Sequence, residues 1–475
     1  MECIAVLDQF HPVNIDCGLL SCIIGLGVVE INRCAIRSVE QIFDPLFDLL
    51  IRKIAVLDII AQIAQFGDRL APIAPSFGRQ VYHLAQIAAQ KISLGTERIN
   101  IADAAGRVLA ESVSAERDQP PFDRVTMDGI AVRNASQTRF GVAGTQFAGD
   151  APLTLEDGGM AIEIMTGAAL PAGANTVIPV ERYTRNGDTI TLEDGYAAET
   201  GQFGHRQGSD HVAATTLLEP GRRLGGPETA VLASTGLATV AVSRLPRVHI
   251  VATGNELVAA GNPIADHEVR LSNGPAMSVM LAAAGYRGAQ AHHLPDSPEV
   301  LRERVGALLD AADVIVLSGG VSKGKADYVP DVLADLGVTR HFHRVAQRPG
   351  KPIWFGTGPS GQLVFGLPGN PVSTLACCRR YVVPALALAS GERTAPPKQL
   401  ALGADWQFGA PLAAFVPVVL EMGDAGLVAT PLSTNTSGDF TALAGTDGFV
   451  ELPADREHFA AGEHYPFFGW TERSS

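Results

Sequence analysis

The sequence predicts a multidomain protein in which a central, doubly wound α/β domain is flanked by small β-domains. Two observations lead to this fold class. Between Arg247 and Leu388, apolar strands alternate with helical segments, which is typical of a parallel sheet covered on both faces. On either side of that region, short apolar strands are separated by Gly, Asn-Gly and Asp-Gly turns, as in small β-domains. At about 150 residues per domain, the 475-residue chain has room for three such units.

Residues 1–80 differ in texture from the rest of the chain. They are rich in Ile and Leu and hold four of the six Cys, none at a zinc-ligand spacing. From Asp44 to Phe66, apolar residues recur at three- and four-residue spacing, which predicts one amphipathic helix. Two interpretations are open for residues 1–80: an accessory helical extension, or a start codon assigned too far upstream, which we favour. We assign no function to this N-terminal extension.

The pattern becomes regular from Val81. Val81 to Ile92 is predicted to be a helix, and Gly95 to Ala110 a short strand, a helical turn and another strand. Glu228 to Val242 adds a helix and a strand, which we expect to return and pack beside that segment. The predicted domains after the extension are 81–122 with 220–245, the β-domain 123–219, the α/β domain 246–394 and a C-terminal β-domain 395–475.

Four apolar strands and the helices between them predict the α/β domain. The strands are VHIVAT, GAQAHHL, DVIVLS and QLVFGL. The helices are predicted at Pro275–Ala284, Ser297–Ala311, Tyr328–Leu336 and Pro371–Leu388. After Ala395-Pro396-Pro397, short strands and turns return.

Composition and charge exclude several classes of protein. Hydrophobic residues make up 46% and charged residues 18%, which is ordinary globular composition. The net charge of −14 argues against nucleic acid or an anionic membrane as a partner. The apolar run Cys17 to Val29 is too short to span a bilayer and follows no positive start. We therefore expect a soluble cytoplasmic protein, with Cys377 and Cys378 as buried, reduced thiols.

Three Gly-rich junctions follow apolar strands of the α/β domain. Ligands of open parallel sheets bind outside the carboxyl ends of the strands, where Gly lets backbone N–H groups approach an anion. Gly is common in such turns, so one junction alone is weak evidence; three in one domain favour a phosphate- or pterin-like ligand. They are Thr253-Gly254-Asn255-Glu256, Ser318-Gly319-Gly320-Val321-Ser322 and Gly366-Leu367-Pro368-Gly369-Asn370-Pro371.

A basic segment lies between the second and third junctions. Arg340 to Lys351 holds three Arg, one Lys and two His and no acidic residue. We interpret it as the cationic side of an oxyanion or diphosphate site, against the alternative of a solvated surface loop.

Glu256 and Asp327 each follow one of these turns. Two carboxylates near a phosphate site suit Mg²⁺, which takes a few carboxylates together with phosphate oxygens and water. Either acid taken singly could be a helix cap instead.

The β-domain contains the string PPFDRVTMDG, in which Asp128-Gly129 predicts a turn that presents a carboxylate. Met165-Thr166-Gly167 and Pro179-Val180-Glu181 are likewise predicted to be turns that present a polar side chain. From the residues alone, these are ordered loops with polar tips.

Taken together, these strings resemble the MoeA family and its eukaryotic counterparts, including the E domain of gephyrin. PPFDRVTMDGIAVR and IMTGAALPAGANTVIPVE are similar to two elements of that family. ATGNELV, RLSN, SGGVSKGKADYV, RPGKPIWFG and FGLPGNPVS follow in the family's order, with TNTSGDFTALAGTDGFVELP in the last domain. The resemblance runs from about Val81 to the C-terminus. The α/β domain by itself is shared with molybdopterin adenylyltransferases and CinA-type proteins.

The resemblance implies an elongated homodimer of four-domain subunits, with the active cleft between the α/β molybdopterin-binding domain of one subunit and the β-domain of the other. The implied reaction takes adenylylated molybdopterin and molybdate, cleaves the pyrophosphate link with Mg²⁺, inserts molybdenum into the dithiolene and releases AMP. Further implied partners are a molybdopterin adenylyltransferase and apo-molybdoenzymes.

The resemblance also assigns residues. Asp128, contributed by the partner subunit, and Glu256, Asp327 and Lys351 are expected to be catalytic, with Glu256 and Asp327 also holding the metal. The residues expected to bind the molybdopterin substrate are Thr166, Gly254, Asn273, Ser318, Gly319, Gly320, Ser322, Arg348, Gly350, Pro368, Gly369, Asn370 and Ser373.

The sequence departs from the family pattern at three positions where an acid is common: Ser209, Leu271 and Lys325. Asn255 also replaces a frequent Asp, although gephyrin-type sequences share it. A cleft with fewer acids is more positive, which could tighten anion binding or change the position of the metal. A second hypothesis therefore stays open, namely that the protein is a non-catalytic molybdopterin-binding paralogue or carrier.

Overall fold

A computed structural model describes residues 77–90, 92–321, 327–423, 426–433 and 439–471, all within one compact unit, Phe66–Ser475. The helix expected at Asp44–Phe66 lies outside the described residues, as do Ser322 and Lys325.

The first described elements and the segment near residue 240 pack together. Helix α1 spans Phe77–Ala89, so it begins and ends earlier than the predicted Val81–Ile92. Strand β1, Thr96–Asn100, pairs antiparallel with β12, Thr239–Ser243, as the sequence predicts for a returning segment. Helix α2, Gly226–Ser234, starts where the Glu228 side chain accepts from the Gly225 amide at 3.0 Å.

Between these segments lies a six-stranded sheet with the order β7-β4-β6-β5-β9-β8. The turn Asn186-Gly187 joins β8 to β9 as predicted, with Gly187 at φ +59°. The strands of this sheet are β4 Gly129–Val132, β5 Arg139–Gln146, β6 Met160–Ile164, β7 Thr176–Pro179, β8 Tyr183–Asn186 and β9 Thr189–Leu192. Two short pairs accompany it, β2 Val113–Ser114 with β11 Thr216–Leu218 and β3 Arg124–Val125 with β10 Gly204–His205.

The second six-stranded sheet has the order β16-β13-β17-β21-β20-β18. Its strands are β13 Val248–Thr253, β16 Gln290–Leu294, β17 Val314–Ser318, β18 Thr339–His343, β20 Trp354–Thr357 and β21 Leu363–Leu367. The first four in that order are parallel, but β20 and β18 are antiparallel to their neighbours. The four predicted strands are therefore parallel as expected. The sheet as a whole is mixed, because β20 and β18 were not predicted and β20 joins β21 through a short turn and not through a helix.

Helices pack against both faces of this sheet. Val248, Ile250 and Val316 lie in one buried cluster with α3, Asn273–Ala283, and with the helical stretch that begins at Pro371. Val251 and Leu317 face the other way, toward α4, Pro298–Ala311, and α5, Val329–Asp335. Successive strand residues alternate between two cores, as expected for a sheet covered on both sides.

The helical stretch after β21 consists of α6 Pro371–Cys377, a π-helical turn Cys378–Val382 and α7 Val383–Ala389. Among the helices that are described, Pro371–Ala389 is long and apolar enough to cross a membrane, but 72% of its most apolar part is buried inside the protein. That burial is the signature of a core helix. Cys377 and Cys378 are buried free thiols, as predicted.

The C-terminal strands form a third sheet, ordered β19-β24-β25-β22-β28-β26, in which β24 also pairs with β26. That extra pairing closes β24, β25, β22, β28 and β26 into a ring. The strands are β19 Gln347–Arg348, β22 Gln399–Leu402, β24 Ala413–Gly423, β25 Gly426–Pro431, β26 Gly448–Leu452 and β28 His464–Gly469. Short pairs elsewhere are β14 Leu257–Val258 with β15 Val269–Arg270, and β23 Trp406–Gln407 with β27 His458–Phe459.

Candidate functional site

The three predicted Gly-rich turns lie side by side. Strands β13, β17 and β21 are adjacent and parallel, and Ser318 is in register with both Ala252 and Leu367. The Gly319 amide donates to the Leu367 carbonyl at 3.1 Å, which joins the second turn to the third. The carboxyl edge of the sheet therefore collects the predicted turns, as the topology of open α/β sheets requires.

Gly319 has no room for a side chain. Its φ is +99°, and a Cβ there would lie 2.7 Å from the Thr253 carbonyl oxygen and 2.8 Å from the Thr253 hydroxyl. Gly320, at φ +65°, would place a Cβ 2.7 Å from Val329. The second turn thus packs its backbone against the end of β13 and the start of α5, and only Gly fits at these two positions.

Asn273 connects the turns through its side chain. At the start of α3, its Nδ2 donates to Ser318 Oγ and to the Gly369 carbonyl, both at 2.8 Å. Asn273 Oδ1 and the hydroxyl of Thr253 are buried and accept or donate no hydrogen bond within the described part of the chain. Buried polar atoms are almost always paired, so these two atoms fit a site whose partner is a bound molecule.

The remaining residues of the third turn that were predicted to bind the ligand lie at the start of α6. Pro368 is buried, Gly369 is exposed and Asn370 immediately precedes the helix. Ser373 lies in the first turn and is buried. The structure thus places these predicted residues at the same edge as Ser318 and Gly319.

Acidic side chains gather near the ends of three neighbouring strands. Glu256 follows β13, Asp327 precedes α5, and Asp296 follows β16. Burial raises the pKa of Asp296, and the negative charges of Glu256 and then Asp327 raise it further. Those electrostatic effects indicate that the three carboxylates share one region of negative potential.

Asp296 was missed by the sequence reasoning, although the rule that found Glu256 also applies to it. It follows the predicted strand β16 after one intervening proline, at the same sheet edge. Its amide donates to Asn255 Oδ1 at 3.1 Å, which ties the loops after β16 and β13 together. A ring nitrogen of His293 lies 2.8 Å from the Gly254 carbonyl oxygen and makes a second such tie.

The described residues contain no group of three or more His, Cys, Asp or Glu side chains arranged to hold a metal ion. A closed, all-protein metal cage is therefore absent from the part of the chain that the structure describes. The acids fit an ion that keeps water and takes its other ligands from substrate phosphate, as Mg²⁺ does.

The basic segment is divided by the fold. Arg340 is in β18 and pairs with Gly356 of β20. Gly356 in turn pairs with Val364, near the amino end of β21. It therefore lies away from the Gly-rich edge, which corrects the expectation that the whole segment converges there. Arg344, at φ +74°, begins the loop between β18 and β20, and Arg348 and Lys351 follow as exposed cations in that loop.

Several contacts hold this loop. The Arg344 amide donates to the Ile353 carbonyl at 2.8 Å, and the Val345 amide to the Lys351 carbonyl at 2.9 Å. A ring nitrogen of His343 lies 3.0 Å from the Val321 carbonyl, next to the second Gly-rich turn. Gly350, at φ +94°, packs against Cys377 of α6, so the loop and the third turn share one helix.

In the β-domain, the three polar-tipped loops meet at Asp128. The Thr166 amide and hydroxyl both donate to Asp128 Oδ1 at 2.6 Å, and the Val180 amide donates to the Asp128 carbonyl at 3.0 Å. The Thr166 hydroxyl, followed by its amide, lowers the pKa of the exposed Asp128 carboxyl. Asp128 and Thr166, predicted from separate motifs, thus form one ionised, fixed pair.

Two of the three positions that lack the family's usual acid are described. Ser209 is exposed in a turn, and the Leu271 amide donates to the Val258 carbonyl at 2.9 Å, next to the β14–β15 pair.

Three family models match this chain and together span most of its described residues. Residues 80–236 match the family model of the MoeA N-terminal region (domain I and II). Residues 249–388 match the model of a probable molybdopterin binding domain, and residues 399–467 that of the MoeA C-terminal region (domain IV).

Individual relatives agree with these matches. A molybdopterin molybdenumtransferase of Synechocystis is 38% identical over 384 residues, covering 80% of this chain and 96% of the relative. The Bacillus subtilis protein of the same name is 30% identical over 384 residues, covering 77% of this chain and 88% of the relative. Among solved structures, a molybdopterin biosynthesis MoeA protein from Pyrococcus horikoshii superimposes with a TM-score of 0.68 at 33% identity, covering 82% of this chain and 97% of that one.

Proposed function

The chain belongs to the molybdopterin molybdenumtransferase family, which acts in molybdenum cofactor biosynthesis, and from this premise we propose that it inserts molybdate into adenylylated molybdopterin with release of AMP in a Mg²⁺-dependent reaction. One observation carries the proposal: the same sheet edge holds Gly-rich turns, three carboxylates and buried polar atoms that have no hydrogen-bond partner among the described residues. That combination suits a phosphorylated ligand together with a divalent cation.

The Gly-rich turns bind and orient the substrate. Asn273 fixes the second and third turns relative to each other, which leaves its Oδ1 and the Thr253 hydroxyl available to the ligand. Backbone N–H groups at such turns point at anionic oxygens without any rearrangement. We infer that they hold the pterin phosphate and the phosphoanhydride in place for cleavage.

The charged residues divide the remaining work. Glu256 and Asp327 would hold Mg²⁺, which when bound would neutralise charge on the phosphoanhydride and assist its cleavage, and Asp296 adds negative charge near them. Arg348 and Lys351 offset the negative charge that develops on the departing phosphate and attract molybdate. Ser373, buried in the first turn of α6, is positioned for the same oxyanions.

We further propose that the active form is a cytoplasmic homodimer. In this arrangement residues 246–394 form the doubly wound molybdopterin-binding domain, and the partner subunit supplies Asp128 and Thr166 across the cleft. The fixed Asp128–Thr166 pair supports this role, because its carboxylate stays ionised and well oriented at an exposed loop tip. A molybdopterin adenylyltransferase would deliver the substrate, and apo-molybdoenzymes would take the product.

The proposal is tested by incubating the full chain with adenylylated molybdopterin, Mg²⁺ and molybdate. AMP release coupled to activation of an apo-molybdoenzyme is the expected result. Tight binding without AMP release would instead favour a non-catalytic molybdopterin-binding carrier, and Ser209, Leu271 and Lys325 would then be the positions to revert to acids.

Asp327 gives the sharpest single-residue prediction. Asp327→Ala should abolish Mg²⁺-dependent AMP release without unfolding the domain, because it removes one of the carboxylates that hold the metal. Asp331→Ala, at an exposed acid in the first turn of α5, is the matched control and should keep turnover. Unchanged turnover in Asp327→Ala would remove this residue from the site.

A further inference from the structure

The loop that carries Arg348 and Lys351 surrounds a buried glutamine. Gln347 has an exposed fraction of 0%, although its neighbour Arg348 is exposed. A buried carboxamide is stable only when its donor and acceptor atoms are paired. The structure shows three partners for the Gln347 side chain, and they come from the loop itself and from the helical stretch after β21.

These contacts fix the side chain in one orientation. The Tyr381 hydroxyl donates to Gln347 Oε1. On the other side of the carboxamide, Nε2 donates to the Gly350 carbonyl at 3.4 Å and to Cys377 Sγ at 3.5 Å. Gln347 therefore connects the turn between Arg348 and Lys351 to α6 and to the π-helical turn that carries Tyr381.

The partners keep their protons at neutral pH. Burial raises the pKa of the Tyr381 hydroxyl well above its ordinary value, and burial likewise raises the pKa of the Cys377 thiol. Tyr381 thus stays a hydrogen-bond donor across the physiological range.

The backbone of Gln347 is held from a third direction. Strand β19, Gln347–Arg348, pairs parallel with β24 of the C-terminal sheet, and the Ala413 amide donates to the Ala346 carbonyl at 3.0 Å. The Gln347 amide itself donates to the Val345 carbonyl at 2.8 Å. The helical stretch after the third Gly-rich turn and the C-terminal sheet therefore both contact this one residue.

Gly350 shows how tightly the arrangement is packed. A Cβ at Gly350 would lie 2.4 Å from Cys377 Sγ and 2.7 Å from Gln347 Nε2. The turn between the two cations therefore closes directly on the carboxamide, and its shape depends on what occupies position 347.

We propose that Gln347 is a positioning residue for the molybdenum-transfer site: its buried carboxamide sets the conformation of the Arg348–Lys351 turn and so the placement of the two cations that meet the phosphate of the substrate. The inference rests on the proposed function. It predicts that loss of the carboxamide weakens substrate binding although Gln347 itself does not contact the substrate, because the effect acts through Arg348 and Lys351.

The test is steady-state AMP release by the full chain at saturating Mg²⁺ and molybdate, with adenylylated molybdopterin varied. Gln347→Met keeps the volume but removes the hydrogen bonds, and it should raise KM roughly tenfold. It should also lower kcat, because the displaced Arg348 and Lys351 offset charge that develops on the departing phosphate. Tyr381→Phe, which removes only the hydroxyl, should raise KM in the same direction by a smaller factor.

Gln362→Met is the matched control. Gln362 is also buried, with 9% exposed, and pairs with the Leu309 carbonyl at 2.8 Å and the Ser360 amide at 3.0 Å. It precedes β21, at the end of that strand opposite the Gly-rich edge. Gln362→Met should lower the unfolding temperature but leave KM unchanged.

The outcomes separate the two proposals. No AMP release by the unsubstituted chain overturns the proposed function, and with it this inference. Turnover by that chain together with an unchanged KM in folded Gln347→Met and Tyr381→Phe overturns the inference alone. Should Gln347→Met fail to fold, KM of Tyr381→Phe decides: a rise supports the inference and an unchanged value overturns it.

Discussion

At the scale of single residues, the site depends on positions that have no room for a side chain. Gly319 is such a position, because its left-handed conformation and the nearby Thr253 atoms both exclude a Cβ. Its glycine was predicted to serve anion binding, and the structure adds a packing role.

Gly319→Ala should therefore destabilise the protein more than its backbone conformation alone explains. Gly261, at φ +89°, isolates the conformational cost, because a Cβ added there would meet no atom of the described residues within 4 Å. We expect about 1 kcal/mol for Gly261→Ala and about 3 kcal/mol or more for Gly319→Ala, measured by urea unfolding. Equal losses in the two variants would show that the contact with Thr253 is relieved without cost.

The negative charge of the Asp296 carboxylate lowers the stability of the folded state. Burial and the neighbouring Glu256 and Asp327 raise its pKa, so the folded state is favoured while the carboxyl is protonated. This contribution is present below the ordinary carboxyl pKa of about 4 and is lost as the pH rises through the raised value.

Asp296→Asn should accordingly raise the unfolding temperature at pH 7 and change it little near pH 3. The same substitution should lower Mg²⁺-dependent turnover by roughly 10- to 100-fold, because it removes a carboxylate from the metal region. Thermal unfolding at the two pH values and AMP release check both parts. A variant that is stabilised yet fully active would leave Asp296 without a role in the reaction.

At the scale of elements, a nearly buried ion pair joins the C-terminal sheet to the α/β domain. Arg380, in the π-helical turn, donates to Glu451 of β26 at 2.7 Å, and both side chains are nearly buried. Arg379 donates to the Gly469 carbonyl at 2.7 Å in the same region. The helix that follows the third Gly-rich turn is thereby attached to the sheet that pairs with β19.

Arg380→Met should cost about 3–5 kcal/mol of unfolding free energy, because it leaves the Glu451 carboxylate buried without its partner. The double variant Arg380→Met/Glu451→Leu should recover much of that loss, since no charge then stays buried. Denaturant unfolding of the single and double variants measures the coupling. A double variant less stable than Arg380→Met would contradict this assignment.

Element boundaries show where sequence periodicity succeeds. The apolar strands β13, β17 and β21 and the helices between them were predicted closely, because strands buried on both faces are continuous apolar runs bounded by Gly. Strands β18 and β20 were not predicted. Strand β18, Thr339–His343, lies at an edge of the sheet and has Phe342 as its one buried residue, so it contains no apolar run to detect.

At the scale of the whole molecule, the proposed dimer makes a prediction of its own. If each active site combines Asp128 of one subunit with Asp327 of the other, two inactive variants can complement each other. A mixed dimer of Asp128→Ala and Asp327→Ala subunits has one site with both changes and one site with neither.

An equimolar mixture, unfolded and refolded together, should therefore regain about a quarter of the unsubstituted activity, because about half of the dimers are mixed and half of their sites are intact. AMP release before and after mixing measures this. Each variant refolded alone is the control, and no gain on mixing would place both acids in the same subunit.

The sequence by itself determined the family, the order of the strands and helices in the α/β domain and most of the residues at its Gly-rich edge. These features are local: motif, periodicity and turn chemistry are written in neighbouring residues. Only the tertiary structure decided that Asp128 is held by Thr166, that Asp296 joins Glu256 and Asp327, that Arg340 lies away from the site, and that Gln347 meets Tyr381. Such contacts join residues that are distant in sequence, and periodicity shows which face of an element is buried but not which residue packs against it.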